Sequence, residues 1–539
     1  MKRTEASYGE NSCKDVSGWS IVLAFTGIYS LLSMSLTIGY YHLSGDSYEY
    51  LTLARNIYRG EGFTRVGLPE LFRQPVYPFL VAGVLWSIRD IELAGHLVSL
   101  FCGILTIPAT FWAARQIVSV RHALLATALL AINPFFAHSG SEVLSETACA
   151  LFSILAIGFL IQACCNVSYR IVFPGAFFGF CSAVAYLCRS ENFLLFPAGI
   201  FLLAWNARKA KRNYIFSISM AMIAMVITCL PYWFMLKSAT GTFSLSGNSA
   251  TLIWFQSDRK ERPPESFDPA WAPRKFDPIY PYKTHPADFK VGRYIMLNTP
   301  ELVKRYIVNS LTYLKPLCEM LFFGFGLVLL FIGVLWGFRM IGKDVFSSVL
   351  VAFVPMVCFS FREGTERLLI PYLPAASLCM AIGLSRITEL LSQGKFLSQF
   401  QPFRLKVIVI ILLVFVPMTK MMRHIGKPEN QRHYQYRIVG EEIRKRVNEN
   451  EIPIVMAGEQ APGFHAGGHT IAIPATSDYQ RLLEQMDRFN ARYLVVTRKK
   501  YVKKSVHVPE LSSPEGHDGL ELLGVFPGEI DLYHRVKQD

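Results

Sequence analysis

The sequence predicts an α-helical polytopic membrane protein, of about 11–13 transmembrane helices, that carries a small α/β domain at its C-terminal end. Three observations lead there. Of 539 residues, 52% are hydrophobic and 17% charged, with a mean hydropathy of +0.31, which is too apolar for a soluble chain. Apolar runs recur from Trp19 to Met418, separated by short polar or basic breaks. After Met421 the composition becomes that of a soluble domain, which divides the chain into a membrane domain at 1–421 and an α/β domain at 422–539.

The first run, Trp19 to Tyr40, holds roughly twenty apolar residues without a charge, the length that crosses a hydrocarbon core. It is too long for a signal-peptide core and lacks a small-residue cleavage site, so it reads as a retained anchor. Directly behind it lies HLSGDSYEYLTLARNIYRGEGF, His42 to Phe63. Tyr50, Leu53, Ala54, Ile57 and Tyr58 fall at helical spacing, with Glu49, Thr52, Arg55, Asn56 and Arg59 opposite them. This pattern predicts an amphipathic helix lying on the membrane surface, started by Ser44 or Asp46 and ended by Gly60 or Gly62. Two readings of Asp46 stand. It is a helix cap and nothing more, or the helix dipole keeps an ionised carboxylate ready as a general base or cation ligand.

Further runs follow at Leu93–Ala114, Ala123–Phe136, Val143–Cys165, Ile171–Leu187, Phe193–Trp205 and Ile215–Leu236. They resume at Leu317–Phe338, Val345–Phe361, Leu368–Leu384 and Leu405–Met418. Several fall short of a full span, which predicts half-helices or tilted pairs, and Val76–Ile88 is short enough to be interfacial or re-entrant. The net charge of +14 is scattered between these runs, which argues against nucleic acid and makes the basic residues topology markers. Lys2, Arg3 and Lys14 place the N-terminus inside, and Arg208, Lys209, Lys211 and Arg212 mark a later cytoplasmic loop. About eleven crossings result. Loop 41–92, the large loop 237–316 and everything after Met421 then share the external face.

Those external loops carry the unusual chemistry. PELFRQPVYPFL supplies Arg73, suited either to bidentate phosphate binding or to snorkelling towards headgroups. NPFFAHSGSEVLSETACA supplies His138, Glu142 and Glu146. The two glutamates share a helix face, and Glu146 enters an apolar run, where a carboxylate is expensive and points to function or to a paired arginine. Arg189 and Glu191 interrupt an apolar hairpin, and Arg362 and Arg367 sit at another external boundary. A groove lined by Arg73, Arg189, Arg362 and Arg367 beside Asp46 and Glu146 would suit an anionic lipid-linked substrate, with Tyr50, Glu142 and His138 as further binding candidates. Trp254, Trp271, Tyr280 and Tyr282 in the proline-rich loop suit sugar stacking or interfacial anchoring, and Pro300–Leu314 reads as a helix.

In the last part, Ile438–Val447 and Tyr479–Phe489 read as helices and Ile452–Met456, Thr470–Ile473 and Arg492–Thr497 as strands. GFHAGGH has two histidines four apart, but its glycines favour a turn over a helical metal pair. Ten of the eleven cysteines lie in or beside apolar runs, so disulfides do not build the external parts. No P-loop, dinucleotide fingerprint or internal repeat is evident.

Taken in order, the Asp46 segment ending in Gly60-x-Gly62, RQPVYP, NPFFAHSG with SET, CRSENFLLFP, LPYW with TGTF, and ERLLIPYLP resemble a family. It is that of the GT-C membrane glycosyltransferases, of the protein O-mannosyltransferase and lipid A aminoarabinose transferase type. FHAGGHTIAIP followed by ARYLVV resembles the external domain appended in bacterial members. The resemblance implies transfer of a sugar from a polyprenyl-phosphate carrier to a lipid, glycan or protein acceptor on the external face of a bacterial inner membrane. It implies Asp46 as catalytic or acceptor-orienting acid, Glu146 as a second acid near the acceptor or a divalent metal, and Arg73, Arg189 and Arg367 on the donor phosphate. Asp46 is followed by Ser47, where many relatives have a second acid. A transporter or flippase of lipid-linked sugars is the rival reading, and a scaffold a third.

Overall fold

The computed structural model describes residues 12–39, 43–165, 172–210, 213–241, 243–247, 296–322, 324–356, 366–392, 429–448, 451–474, 478–498 and 508–536. Its membrane part is a helical bundle. The helices are α1 (Ser12–Gly39), α2 (Gly45–Tyr58), α3 (Val76–Leu85), α4 (Ile91–Arg115), α5 (Val120–Ala131), α6 (Pro134–Ser141), α7 (Glu146–Cys165), α8 (Val172–Cys188), α9 (Leu195–Ala210) and α10 (Asn213–Thr240). Then come α11 (Thr299–Met320), α12 (Phe325–Met340), α13 (Lys343–Val351) and α14 (Leu373–Ser392). Among the described residues five helices are long and apolar enough to cross a membrane, and up to seven if each of two bent pairs is one span. The bent pairs are α5–α6, at 57°, and α11–α12, at 101°, in line with the broken helices expected from the short runs. Helix α3, ten residues long, is well below spanning length. Leu405–Met418 lies outside the described residues.

Where lipid removes the hydrophobic drive between helices, close backbone approach takes its place. Helices α12 and α14 show it. A Cβ added at Gly333 would stand 1.8 Å from the Cys379 carbonyl oxygen, and one at Gly383 would stand 2.0 Å from that of Leu329. The bundle core that results is continuous and lies around α4 and α7.

Helix α2 departs from the expected surface helix. Much of its polar side is covered as well: Glu49, Thr52 and Arg55 are half-buried, and Asn56 is fully buried and donates to the Thr64 carbonyl at 2.7 Å. The cover comes from a two-residue ribbon, β1 (Thr64–Arg65) against β2 (Leu68–Pro69), and from the C-terminal unit. The ribbon turns through Val66 and Gly67, at φ 51° and 74°, the positive values a primed two-residue turn requires.

The C-terminal unit contains α15 (Glu429–Arg446), α16 (Ala461–His465) and α17 (Tyr479–Arg488) around a five-stranded sheet. Its strands are β3 (Ile454–Ala457), β4 (His469–Ala472), β5 (Tyr493–Thr497), β6 (Leu520–Phe526) and β7 (Ile530–Arg535), in the order β4-β3-β5-β7-β6. The first three are parallel and the last two join antiparallel. The expected helices and strands are present. The β6–β7 hairpin is an addition.

Candidate active site

Ser44, not Asp46, caps α2: its side chain accepts from the Ser47 amide while the Ser47 hydroxyl accepts from the Ser44 amide, a reciprocal capping box. Asp46 sits in the first turn, and its carboxylate is therefore available to other partners. One oxygen accepts from Arg73 and the other from Arg367.

Each guanidinium then reaches a second acid. Arg73 Nε donates to Glu49 Oε2 at 2.5 Å, one turn along α2. Arg65 places Nη2 3.2 Å from the same oxygen and Nε 3.0 Å from Glu70 Oε2. Glu70 Oε1 accepts from the backbone amides of Phe72 and Arg73, at 2.6 and 3.0 Å, which bends the chain and aims Arg73 at α2. On the other side Arg367 Nε lies 3.7 Å from Glu146 Oε1, which accepts from Arg189 Nη1 at 2.8 Å. Arg189 Nε finally donates to Glu191 at 2.7 Å. The result is one alternating chain: Glu70, Arg65, Glu49, Arg73, Asp46, Arg367, Glu146, Arg189, Glu191. Five carboxylates face four guanidiniums, which leaves one net negative charge.

Burial alone would raise the Glu49 carboxyl, but Arg65 and Arg73 beside it hold it down to about 2. Burial works against the Arg73 cation, and Glu49 more than restores it. Tyr50 presents its ring 5.3 Å from the Arg73 guanidinium and its hydroxyl 3.2 Å from Ser145 Oγ, next in sequence to Glu146. Burial keeps that phenol in its neutral form. The second oxygen of Glu146, Oε2, is buried and makes no hydrogen bond among the described residues.

Of the residues expected from sequence, Asp46, Glu146, Arg73, Arg189, Arg367 and Tyr50 converge. His138 and Glu142 pair with each other at 3.7 Å, and burial pushes the Glu142 carboxyl up to about 7. Arg362, Trp254, Trp271, Tyr280 and Tyr282 lie outside the described residues. The arginines do not line an open cationic groove, because carboxylates hold them. Sequence reading missed Arg65 and Glu70 and assigned Glu49 to a solvated face. The signal for them was the ribbon turn at Val66-Gly67, which folds Arg65 and Glu70 back onto α2.

Beside this chain opens an apolar groove of about 520 Å³. Pro75, Val76, Phe79 and Leu80 from the segment just after Arg73 line it, together with Val184 and Tyr232. Gln74, buried, lies between the last charge and the first apolar lining residue.

Residues 73–233 match the family described as dolichyl-phosphate-mannose-protein mannosyltransferase. That stretch contains Arg73, Glu146 and Arg189. Among solved structures the chain is similar to ArnT from Cupriavidus metallidurans in the apo state, with a TM-score of 0.62 at 10% identity over 97% of this chain and 98% of that one. The same protein bound to undecaprenyl phosphate gives 0.61 at 12% identity over 96% and 98%. The Archaeoglobus fulgidus oligosaccharyltransferase in the apo form gives 0.59 at 14% identity over 98% of this chain and 76% of that one. No curated protein sequence matches significantly. The backbone thus has the fold of the GT-C class of membrane glycosyltransferases, and residues 73–233 carry the match to one family of it. Within that class, the matched stretch resembles the mannosyltransferases named above, and the backbone as a whole resembles ArnT and the oligosaccharyltransferase.

Proposed function

We propose that this protein transfers a sugar from a polyprenyl-phosphate carrier to a lipid, glycan or protein acceptor at the external face of the plasma membrane, with Asp46 as the catalytic base. The observation that carries the reading is the position of Asp46, held between Arg73 and Arg367, with an apolar groove whose lining starts at Pro75, two residues after Arg73. The apolar lining suits the first isoprene units of a prenyl chain, and a phosphate at their head would then lie towards Arg73. The oligosaccharyltransferase named above has been solved with a dolichol-phosphate and ArnT with undecaprenyl phosphate, which supports a carrier of this class. The basic-residue pattern supports an external site, a cytoplasmic N-terminus and an external domain at 422–539 appended to a membrane domain at 1–421.

Arg367 is the most exposed of the four guanidiniums in the alternating ion-pair series, its side chain 29% accessible against 15% for Arg73 and 11% for Arg189. A carrier phosphate therefore competes most easily for Arg367. With Arg367 turned to phosphate, Asp46 keeps Arg73 on one oxygen and offers the other to the acceptor proton. As that proton moves to Asp46, the acceptor oxygen or nitrogen bonds to the anomeric carbon and the bond to the phosphate oxygen breaks, with inversion. Polyprenyl phosphate leaves carrying the charge that the arginines stabilise. Glu146 Oε2, buried and without a hydrogen bond among the described residues, is available to a hydroxyl of sugar or acceptor.

Among the described residues no group of three or more His, Cys, Asp or Glu side chains is arranged to hold a metal ion. Asp46 gives both oxygens to guanidiniums, a donor set that does not fit a divalent cation, so no step here is routed through one. Asp46→Asn removes the base and should lower transfer from a radiolabelled polyprenyl-phosphate sugar by about 10²- to 10⁴-fold. Unchanged transfer in that variant would overturn the assignment.

A further inference from the structure

The GFHAGGH segment, which offers no metal pair, meets the far end of the helix that carries Asp46. Arg55 lies near the last turn of α2. Its Nη1 donates to the Phe464 carbonyl at 3.2 Å and its Nη2 to the Gly468 carbonyl. The guanidinium carbon stands 5.3 Å from the centre of the Phe464 ring. Two residues after Asp46, the Tyr48 ring packs 5.3 Å from Phe464 and 5.5 Å from His465.

The carbonyls that receive Arg55 are fixed by the C-terminal unit's own backbone. Gly467 turns the chain at φ 77°, a conformation that side chains disfavour. A Cβ at Gly468 would stand 1.8 Å from the Pro453 carbonyl oxygen, and one at Gly463 2.2 Å from Thr470 Oγ1. The glycines of the motif thus let the strand entering β4 lie against its neighbour while two carbonyls face α2. A second tie runs parallel to this one: Glu92, near the start of α4, lies 3.6 Å from Arg437 of α15 and 3.7 Å from His465 of α16.

We propose that Arg55 is a positioning residue, docking α2 onto the Phe464 and Gly468 carbonyls so that the C-terminal unit holds the helix from which Asp46 projects. The proposal rests on the reading of Asp46 as base. Arg55 stands nine residues from Asp46, about 13 Å along the axis, and touches no reacting atom. Its effect is mechanical: a helix tied at both ends holds a carboxylate within the narrow tolerance that proton transfer demands, where a displacement of about 1 Å costs about a hundredfold in rate. A planar, forked donor is what two diverging carbonyls require, and a lysine ammonium serves them less well.

The test uses the full chain in lipid nanodiscs, comparing wild type, Arg55→Ala and Arg55→Lys. Amide hydrogen exchange should quicken about tenfold across residues 45–58 in Arg55→Ala, less in Arg55→Lys, and stay unchanged in α7. With radiolabelled undecaprenyl-phosphate mannose as probe, kcat should fall about 10- to 100-fold in Arg55→Ala, with KM for that donor within twofold of wild type, and recover partly in Arg55→Lys. Unchanged exchange in α2 overturns the docking, whatever the kinetics show. Faster exchange with unchanged kcat overturns the positioning role. A wild-type protein that transfers from no polyprenyl-phosphate sugar removes the reading on which that role rests, while the exchange measurement, which needs no donor, still decides the docking.

Discussion

The two ends of α2 are held by opposite kinds of partner. At the Asp46 end the ties are ion pairs between largely half-buried side chains, each guanidinium shared between two carboxylates. At the Arg55 end the receiving groups are backbone carbonyls of a separate unit. The difference teaches what each end can do. A shared ion pair can be re-partitioned when a new anion arrives, because the same guanidinium has a second partner waiting. A guanidinium seated on backbone carbonyls is exchangeable for nothing, so it serves as an anchor. One helix thus joins a rearrangeable site to a fixed support.

The sharpest way to break this comparison is to remove a shared cation from the site end. Arg65 serves Glu49 and Glu70, and the Glu70 side chain is 1% exposed. In Arg65→Ala, Glu49 retains Arg73 and Glu70 retains two backbone amides, so the cost should sit at the low end for an orphaned buried charge, about 3 kcal/mol. A drop in the thermal unfolding midpoint of the purified protein would report it. No measurable drop would mean that the alternating chain is not a structural unit.

Second in size is a pH effect at the same end. The Glu49 carboxyl is lowered from 4.5 to about 2 by Arg65 and Arg73 against the opposing effect of burial. A depressed folded value means that the stabilisation is fully present above pH 4.5 and is lost as pH falls from there towards 2. The gain is on the order of 2 kcal/mol once partial solvent screening is allowed for. The unfolding midpoint of wild type should therefore fall more steeply over that window than that of Glu49→Gln, while the gap between them stays constant above it. Parallel curves would assign the acid sensitivity to other groups.

How much of this was legible in the sequence follows from the same contrast. Asp46, Arg73, Glu146, Arg189 and Arg367 stand out because charge beside an apolar run is costly and must be explained. Glu49 did not, because helical periodicity assigned it to a polar face, and periodicity cannot report that a two-residue ribbon covers that face. Arg65 and Glu70 belong to no periodic element at all. Arg55 carried the same ambiguity as Glu49, and its partners are carbonyls, which every residue has and no sequence pattern marks. Strands β3, β4 and β5 were readable as apolar runs between turns. The β6–β7 hairpin was not: β6 is an edge strand with mostly half-exposed residues and an irregularity between Leu522 and Gly524, so its alternation is weak, and β7 is buried on both faces over its first four residues, which erases alternation.

The smallest expected effect sharpens the comparison from the anchored end. Arg437 and Arg55 both cross the seam between the C-terminal unit and the membrane helices, yet they differ in burial and in the element they hold. Arg437 is 44% exposed, shares itself with Glu441 at 2.9 Å, and reaches Glu92 on α4 at 3.6 Å. Glu92 keeps His465 at 3.7 Å when Arg437 is gone. Such a pair is worth less than about 1 kcal/mol, since solvent competes for the cation and the carboxylate retains a neighbour. Arg437→Ala should leave the unfolding midpoint within a degree or two of wild type and leave amide exchange across residues 45–58 unchanged. If instead it loosens α2 as much as Arg55→Ala does, the seam acts as one undivided surface, and the special role of the two carbonyls in the GFHAGGH segment is lost. The distinction turns on a physical point: a cation screened by water at one edge of a contact can be removed without displacing the contact, whereas removing one that bridges two fixed carbonyls beneath a ring costs both acceptors a charged donor.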